Sequence, residues 1–360
     1  MSCAQNVGVS CSKTAARRRS IFRSTRIVAV AVTILVAAFS SAQAQPPVSP
    51  EWQKVIDTAK KEGSVTLYSS FAPSNLKALG DAFTKLYGVK VNVLRDVDTP
   101  LMTKVDAENS SKNPLADVLT VTDLGYFNSR GSKGWWAKPV GPNFDDPQFD
   151  RTKYLSNDGV FITGGFVYVV GWNTDAVPKG IRSYDDVLNP VFARKVGVVD
   201  PAVSVATVSF YDYLAERNGP KYIDGLAALR PQIFAGMLPS GQALTSGQVS
   251  VAIAVQALTA EKAQGAPVDY WVPSPAWGAA FRTGIIAAST HPNAAQLLAN
   301  FMISRQGQEL LGKNGVSVLP DVKGAVTSIK DLVLYDPTAL KPEHVEAFRT
   351  EFKTKFTGNR

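Results

Sequence analysis

Cysteine and histidine are almost absent from this 360-residue sequence, and their scarcity excludes several kinds of chemistry. The cysteines are Cys3 and Cys11, and the histidines are His291 and His344. The patterns G-x-S-x-G and H-E-x-x-H and the phosphate-binding P-loop are also missing. We therefore expect no enzymatic activity, no metal site and no cofactor, because nucleophile–base pairs and metal clusters need side chains that are lacking here.

Acidic residues are absent from the first 44 positions, which carry Lys13 and five arginines. The apolar run Ile27–Phe39 is too short to span a bilayer comfortably, and it leads to Ala42-Gln43-Ala44, a signal-peptidase pattern. We predict a cleaved signal peptide over residues 1–44 and a periplasmic mature chain. An uncleaved anchor is the alternative, and both the general secretory and twin-arginine routes stay open.

Removal of this leader changes the charge and the thiol content of the chain. The formal net charge falls from +8 to +2, because all six basic leader residues leave. Both cysteines leave as well, so the mature chain has no disulfide and no thiol chemistry. A nucleic-acid partner is therefore not expected, because the basic charge that would attract one belongs to the leader.

The mature chain alternates short apolar strands with amphipathic helices, a βαβ pattern that predicts parallel strands with helices on both faces. Residues 52–62 form a predicted helix ended by Gly63, and strands are predicted over residues 64–68, 89–94 and 116–121. The run Gly159–Asn173 is too long for one ordinary buried strand, and a strand that crosses between two lobes explains it. Further predictions are strands at 196–199, 249–255 and 281–288, a loop at 271–277, and helices at 204–216, 291–311 and 342–356.

Four segments resemble the extracellular solute-binding proteins that include ferric-ion, thiamine, polyamine and phosphonate binders. They occur in the family's order and at its spacing: Ala59–Ser70, Ala116–Leu119, Tyr168–Asp175, and His291–Ala295 continuing to Phe301–Gln308. The resemblance implies an α/β fold of the type II periplasmic binding proteins, with two mostly parallel sheets joined by crossover strands. It also implies a monomer that carries a small-molecule ligand to the membrane permease of an ABC importer.

The resemblance implies a ligand cleft between two lobes. We assign residues 45–163 plus 278–317 to lobe 1 and residues 164–277 plus 318–360 to lobe 2. Ligands of open α/β sheets bind beyond the carboxyl ends of strands. The candidate binding residues near such ends are Ser69, Ser70, Arg95, Thr122, Asp123, Ser204, Thr207, Gln256, Trp271 and Trp277.

Each candidate also has a structural interpretation. Hydroxyls at helix starts suit an anion but also cap helices, which applies to the pairs Ser69–Ser70 and Ser204–Thr207. Asp123 either pairs with a ligand amine or caps a helix, and Arg95 either holds a carboxylate or phosphonate or forms a salt bridge. The two tryptophans either line the cleft or pack at the hinge.

The residues that ferric-ion binders of this family use are replaced here. Ala257-Leu258 stands close to the place of their adjacent tyrosines, and Ser69 to Phe71 stands where they tend to carry a histidine. The sequence therefore favours a small anionic or zwitterionic organic solute, such as a phosphonate, phosphate ester or carboxylate. The alternatives are a ferric-ion carrier and a ligand-sensing partner of a membrane receptor.

Overall fold

A computed structural model describes residues 48–336 and 340–358, so the predicted signal peptide lies outside the described residues. In those two ranges no helix is both long and apolar enough to cross a membrane. The strands are β1 Ser64–Ser69, β2 Lys90–Arg95, β3 Val118–Val121, β4 Trp136–Ala137, β5 Phe161–Val167, β6 Val169–Asn173, β7 Val196–Val199, β8 Gln232–Phe234, β9 Val251–Val255, β10 Val268–Trp271, β11 Ala276–Ile286, β12 Val316–Ser317, β13 Thr327–Ser328 and β14 Leu332–Leu334. The helices are α1 Pro50–Glu62, α2 Pro73–Tyr87, α3 Asp98–Ser110, α4 Leu124–Gly131, α5 Arg151–Tyr154, α6 Tyr184–Val187, α7 Val205–Asn218, α8 Tyr222–Ala228, α9 Met237–Thr245, α10 Thr259–Ala263, α11 Pro292–Met302, α12 Arg305–Leu311 and α13 Pro342–Thr357.

The N-terminal helix shows why the early predictions match the structure. Ser49 caps α1 by accepting a hydrogen bond from the backbone N–H of Trp52, and Pro50 occupies the first turn. Gly63 ends the helix with φ +76°, a left-handed conformation that favours glycine. The buried face contains Trp52, Ile56 and Ala59, as the helical spacing predicts.

Two sheets organise the described residues. The first runs in the order β13-β12-β5-β11-β3-β1-β2, with β14 and β4 also paired to β11, and the second runs β10-β6-β9-β7-β8. Pairing is parallel among β1, β2 and β3 and among β7, β8 and β9, whereas β5, β6, β10 and β11 pair mainly antiparallel. Parallel pairing therefore holds in the βαβ parts of each sheet, and the connecting strands run the other way.

The long run Gly159–Asn173 passes from one sheet to the other, as the sequence predicts. It divides at Tyr168 into β5 of the first sheet and β6 of the second. The Tyr168 N–H donates to the carbonyl oxygen of Trp277, so β11 lies beside the crossing point. The two sheets are therefore joined by adjacent strands with buried side chains.

Three predicted elements are wrong in extent. Residues 271–277 are not only a loop, because they contain the end of β10 and the start of β11. The strand predicted at 281–288 begins five residues earlier, at Ala276, and all its residues are buried. The helix predicted at 291–311 divides after Met302, because the Ser304 hydroxyl caps a new helix by accepting from the N–H of Gly307.

The C-terminal residues add strands to the first sheet and a helix beside the second. Residues 318–336, which the prediction assigns to lobe 2, supply β13 and β14 to the first sheet. Helix α13 packs instead on α7, where Phe348 and Phe352 contact the buried ring of Tyr211. The lobe boundaries stay a prediction.

Candidate functional site

The carboxyl end of β1 carries the first pair of candidate residues. Ser69 is fully buried, and its hydroxyl accepts a hydrogen bond of 3.2 Å from the N–H of Phe71. The hydroxyl oxygen of Ser70 is also buried but has no hydrogen-bond partner among the described residues. Neither serine caps α2, whose N-cap is Ala72. A buried hydroxyl without a partner is unusual, and a ligand is one explanation for it.

The neighbouring end of β3 is built around a carboxylate at the start of α3. Asp98 accepts hydrogen bonds from both the N–H and the hydroxyl of Thr122, which orients that side chain. Asp123 caps α4 by accepting from the N–H of Tyr126 at 2.7 Å, so the structural interpretation of this residue holds. Burial lowers the pKa of the neighbouring Arg282, which the Asp123 carboxylate partly opposes, and burial raises the pKa of Tyr335, to which Asp123 adds.

Arg282 is a buried cation at this strand end. It lies on β11 opposite Val121, is only 8% exposed, and its Nη1 donates to the carbonyl oxygens of Thr122 and Ala280. Burial lowers the pKa of its guanidinium group, and Asp336, Asp123 and Tyr335 offset this only in part. Arg282 is thus a largely desolvated cation beside two carboxylates, and an added anion at this strand end would extend its charge pairing.

The second sheet presents neutral hydroxyls near the end of β7. Ser204 caps α7, and its hydroxyl oxygen lies 3.2 Å from the N–H of Thr207 and 3.0 Å from the Thr207 hydroxyl. The hydroxyl of Tyr168 lies 3.4 Å from the same Thr207 oxygen. Burial raises the pKa of Tyr168 to about 12, so its hydroxyl is neutral at ordinary pH.

An aromatic spine connects these two groups of residues along the crossover strands. Its successive ring centroids lie 4.0 to 6.2 Å apart, in the order Phe71, Phe281, Phe166, Trp277, Tyr168 and Phe210. Gly164 admits the Phe71 ring, because a Cβ there would lie 3.2 Å from that ring and 2.9 Å from the carbonyl oxygen of Val316. The spine runs from the residue after Ser70 to the helix that Ser204 caps.

A family model for bacterial extracellular solute-binding proteins matches residues 65–317, which is more than half of the chain. The chain belongs to this family. This confirms the resemblance predicted from its sequence motifs.

Solved structures of binding proteins share the fold of this solute-binding protein. The substrate-binding protein of an ABC transporter from Agrobacterium tumefaciens matches with a TM-score of 0.66 at 12% identity, over 81% of this chain and 94% of that one. AfuA from Actinobacillus pleuropneumoniae, with fructose-6-phosphate bound, gives 0.59 at 21%, over 82% and 99%. Iron-bound HitA from Pseudomonas aeruginosa gives 0.56 at 20%, over 82% and 98%. The type II periplasmic binding fold is confirmed, and all three neighbours are binding proteins rather than enzymes.

The other predicted binding residues of this solute-binding protein lie apart from one another. Trp277 is only 1% exposed and packs inside the aromatic spine. Trp271 is half-buried, and its ring centroid lies 5.5 Å from that of Tyr184. Arg95 is exposed at the end of β2, where its Nε donates to the carbonyl oxygen of Phe71.

Gln256 follows a strained position in the same binding protein. Ala254 in β9 has φ +59°, which is unusual for a residue with a side chain, and the facing strand β6 shifts register between Val169 and Gly171. Such strain costs about 1–3 kcal/mol and is concentrated at functional sites in proteins. It sets the direction in which the chain leaves β9 towards half-buried Gln256.

Each histidine contacts an aspartate carboxylate, away from the strand ends described above. Nδ1 of His291 lies 3.2 Å from the buried carboxylate of Asp117, and Nε2 of His344 lies 2.9 Å from Asp212. In the part of the chain that the structure describes, no group of three or more histidine, cysteine, aspartate or glutamate side chains is placed to hold a metal ion.

Sequence reasoning missed Arg282 and Tyr168. A signal for Arg282 exists, because it is the charged residue within the apolar run Ala276–Ile286, where an arginine must be buried. Tyr168 stands inside a family motif, but only the crossover geometry brings it to Thr207.

Proposed function

We propose that this protein captures a small organic anion in the periplasm and delivers it to an ABC permease. The site is formed by the strand ends of the first sheet and closed by the hydroxyls near β7. The observation that carries the proposal is Arg282, a buried cation at the carboxyl end of β3 whose desolvation is only partly offset by its neighbours. A carboxylate, phosphonate or phosphate ester would complete its charge pairing.

The surrounding groups fit such an anion. The buried Ser70 hydroxyl lacks a partner among the described residues and can donate one hydrogen bond. Half-buried Ser204 offers a neutral hydroxyl from the other sheet at the α7 N-terminus, where it contacts the buried hydroxyl of Thr207. The bound fructose-6-phosphate of AfuA supports the proposal, because that protein carries a phosphate ester within the same fold.

Ferric ion is the second candidate, favoured by the similarity to iron-bound HitA. Against it, the position after β9 holds Ala257 and Leu258, both buried apolar residues that offer no anionic oxygen. Tyr211 and Tyr213 do not replace adjacent tyrosine ligands, because their hydroxyls donate to the carbonyl oxygens of Val199 and Pro275. An organic anion therefore fits the chemistry of the site better.

A thermal-shift screen of the mature protein tests the proposal. Phosphonates, phosphate esters, carboxylates and ferric citrate are compared, because a ligand of the native state raises the apparent stability, by about 2.7 kcal/mol at 100 times its Kd. We expect stabilisation by at least one organic anion. Stabilisation by ferric ion and by none of the organic anions would overturn the proposal.

Transport and sensing are separated by deletion of the gene. The proposal expects uptake of the stabilising anion to fall in the deletion strain and to return on complementation. Unchanged uptake with a lost transcriptional or chemotactic response to the anion would instead show a sensing partner of a membrane receptor.

A further inference from the structure

A groove on the outer edge of the first sheet lies away from the crossover strands. It encloses about 670 Å³ between α2 and β2. Strand β2 ends the sheet, and in the described residues only β1 pairs with it, so its outer edge has no strand partner. A free edge of this kind can pair with an extended segment of another chain.

The groove has an apolar floor and a basic rim. Leu76, Val91 and Val93 line the floor, and Val93 is 40% exposed. Gly80 of α2 lies over Val91, where an added Cβ would stand 3.5 Å from the valine side chain. Lysines 77, 85 and 90 and Arg95 line the rim, against the single carboxylate of Asp81, which pairs with Lys77 at 2.6 Å. The groove is thus positively charged and amphipathic.

We propose that this groove binds an acidic, extended segment of the membrane permease, which adds a strand to β2. Acidic side chains would face the basic rim, and alternate apolar side chains would lie on Val91 and Val93, as the two-residue period of a strand requires. Charge complementarity selects this occupant. Naming the permease rests on the proposed transport function, whereas the recognition of an acidic strand does not.

The test uses the mature protein and a labelled eight-residue peptide of alternating Glu and Val, with a Lys–Val peptide as the probe of charge. We expect the acidic peptide to bind with a Kd on the order of 10–100 μM, more weakly at high salt, and to protect the amides of residues 90–95 from hydrogen exchange. The double variant Lys85→Glu/Lys90→Glu should weaken binding at least tenfold. The matched control Lys133→Glu/Lys323→Glu, which makes the same charge change at exposed sites elsewhere, should not.

Several outcomes overturn the inference. Absence of binding at a concentration on the order of 1 mM would show that the basic residues only protect the strand edge. Equal binding of both peptides, or an equal loss of affinity in the control variant, would exclude recognition of an acidic segment by the basic rim. No protection of the β2 amides would exclude strand addition. Self-association that the double variant abolishes would identify a second copy as the occupant. Stabilisation by the cleft anion, measured on the same variants, should persist, which separates this inference from the proposed function.

Discussion

The two sheets differ in the polar groups that they bury. In the described ranges, the buried charged residues are Glu108, Asp117 and Arg282, and all three belong to the first sheet or its helices. Around the second sheet, the buried polar side chains include Asn173 and Thr207, which are neutral. Since burying a charge is costly without a partner, the first sheet holds the groups that need explanation.

Two of these charges are fully explained by their neighbours. Glu108 accepts from the Tyr68 hydroxyl and from two backbone N–H groups, and Asp117 accepts from the N–H of Thr66 and the hydroxyl of Ser289. Arg282 differs, because its Nη1 contacts are carbonyl oxygens and burial dominates its pKa. Under the proposed function, the first sheet supplies charge recognition and the second supplies neutral closing contacts.

The largest expected effect comes from Arg282→Met. Anion affinity should fall roughly 100-fold, about 2.7 kcal/mol, because the partner of the ligand charge is lost. The free energy of unfolding without ligand should also fall, because Asp123 and Asp336 lose a neighbouring cation and two carbonyl oxygens lose their donor. Isothermal titration and urea denaturation measure the two effects separately.

Arg182→Met is the matched control, since Arg182 is exposed beside the second sheet. It should leave the anion affinity and the free energy of unfolding unchanged within error. Arg282 would have only a structural role if Arg282→Met kept full anion affinity. The same conclusion would follow if the variant unfolded the protein but its folded fraction bound the anion unchanged, and the contrast between the sheets would then disappear.

Local sequence signals predicted most of the fold because they act over short distances. A serine N-cap and a terminal glycine mark α1, and a long apolar run marks the crossover at Tyr168. The division of the helix after Met302 was missed, because Ser304 is a cap only when the preceding turn ends, which tertiary packing decides.

The candidate site was less predictable, because it depends on which strands become neighbours. Strand ends located Ser70 and Asp123 by the general rule for α/β sheets. Arg282 reaches the same place only because β11 pairs antiparallel with β3, a pairing between residues some 160 positions apart. The capping by Asp123 and Ser204, in contrast, is local and was among the interpretations open from the sequence.

The stability of the first sheet should also depend on the buried carboxylate of Glu108. Burial raises the pKa of Glu108, but hydrogen bonds from Tyr68, Leu115, Ala116 and Lys104 together lower it by more. The net shift of the pKa is therefore downward from 4.5. Its contribution to stability is therefore complete above pH 4.5 and is lost as the pH falls through the lower folded pKa. Glu108→Gln should cost about 1–3 kcal/mol near pH 7.

Urea denaturation between pH 3 and 7 measures this dependence. The wild type should lose stability on acidification more steeply than Glu108→Gln, so that the two curves converge at low pH. Exposed Glu309→Gln is the matched control and should follow the wild type. Parallel curves for all three proteins would assign the acid sensitivity to other carboxylates.

A smaller effect is expected on the second sheet. Ser204→Ala removes the N-cap of α7 and should lower the free energy of unfolding by about 1 kcal/mol. Ser204→Asp retains a capping oxygen and should restore stability but weaken anion binding, because it adds a like charge. If Ser204→Asp bound the anion as well as the wild type, the second sheet would not face the ligand's charge.

The smallest expected effect concerns the unpartnered hydroxyl of Ser70. Ser70→Ala should reduce anion affinity by about three- to tenfold, the value of one net hydrogen bond, and should not lower the stability of the ligand-free protein, since the hydroxyl has no partner there among the described residues. Ser240→Ala removes another buried hydroxyl without such a partner, beside the second sheet, and serves as the control. Titration of both variants with the anion compares the two sheets. Equal affinity in Ser70→Ala and Ser240→Ala would mean that the Ser70 hydroxyl is a packing defect. Arg282 alone would then make the first sheet different.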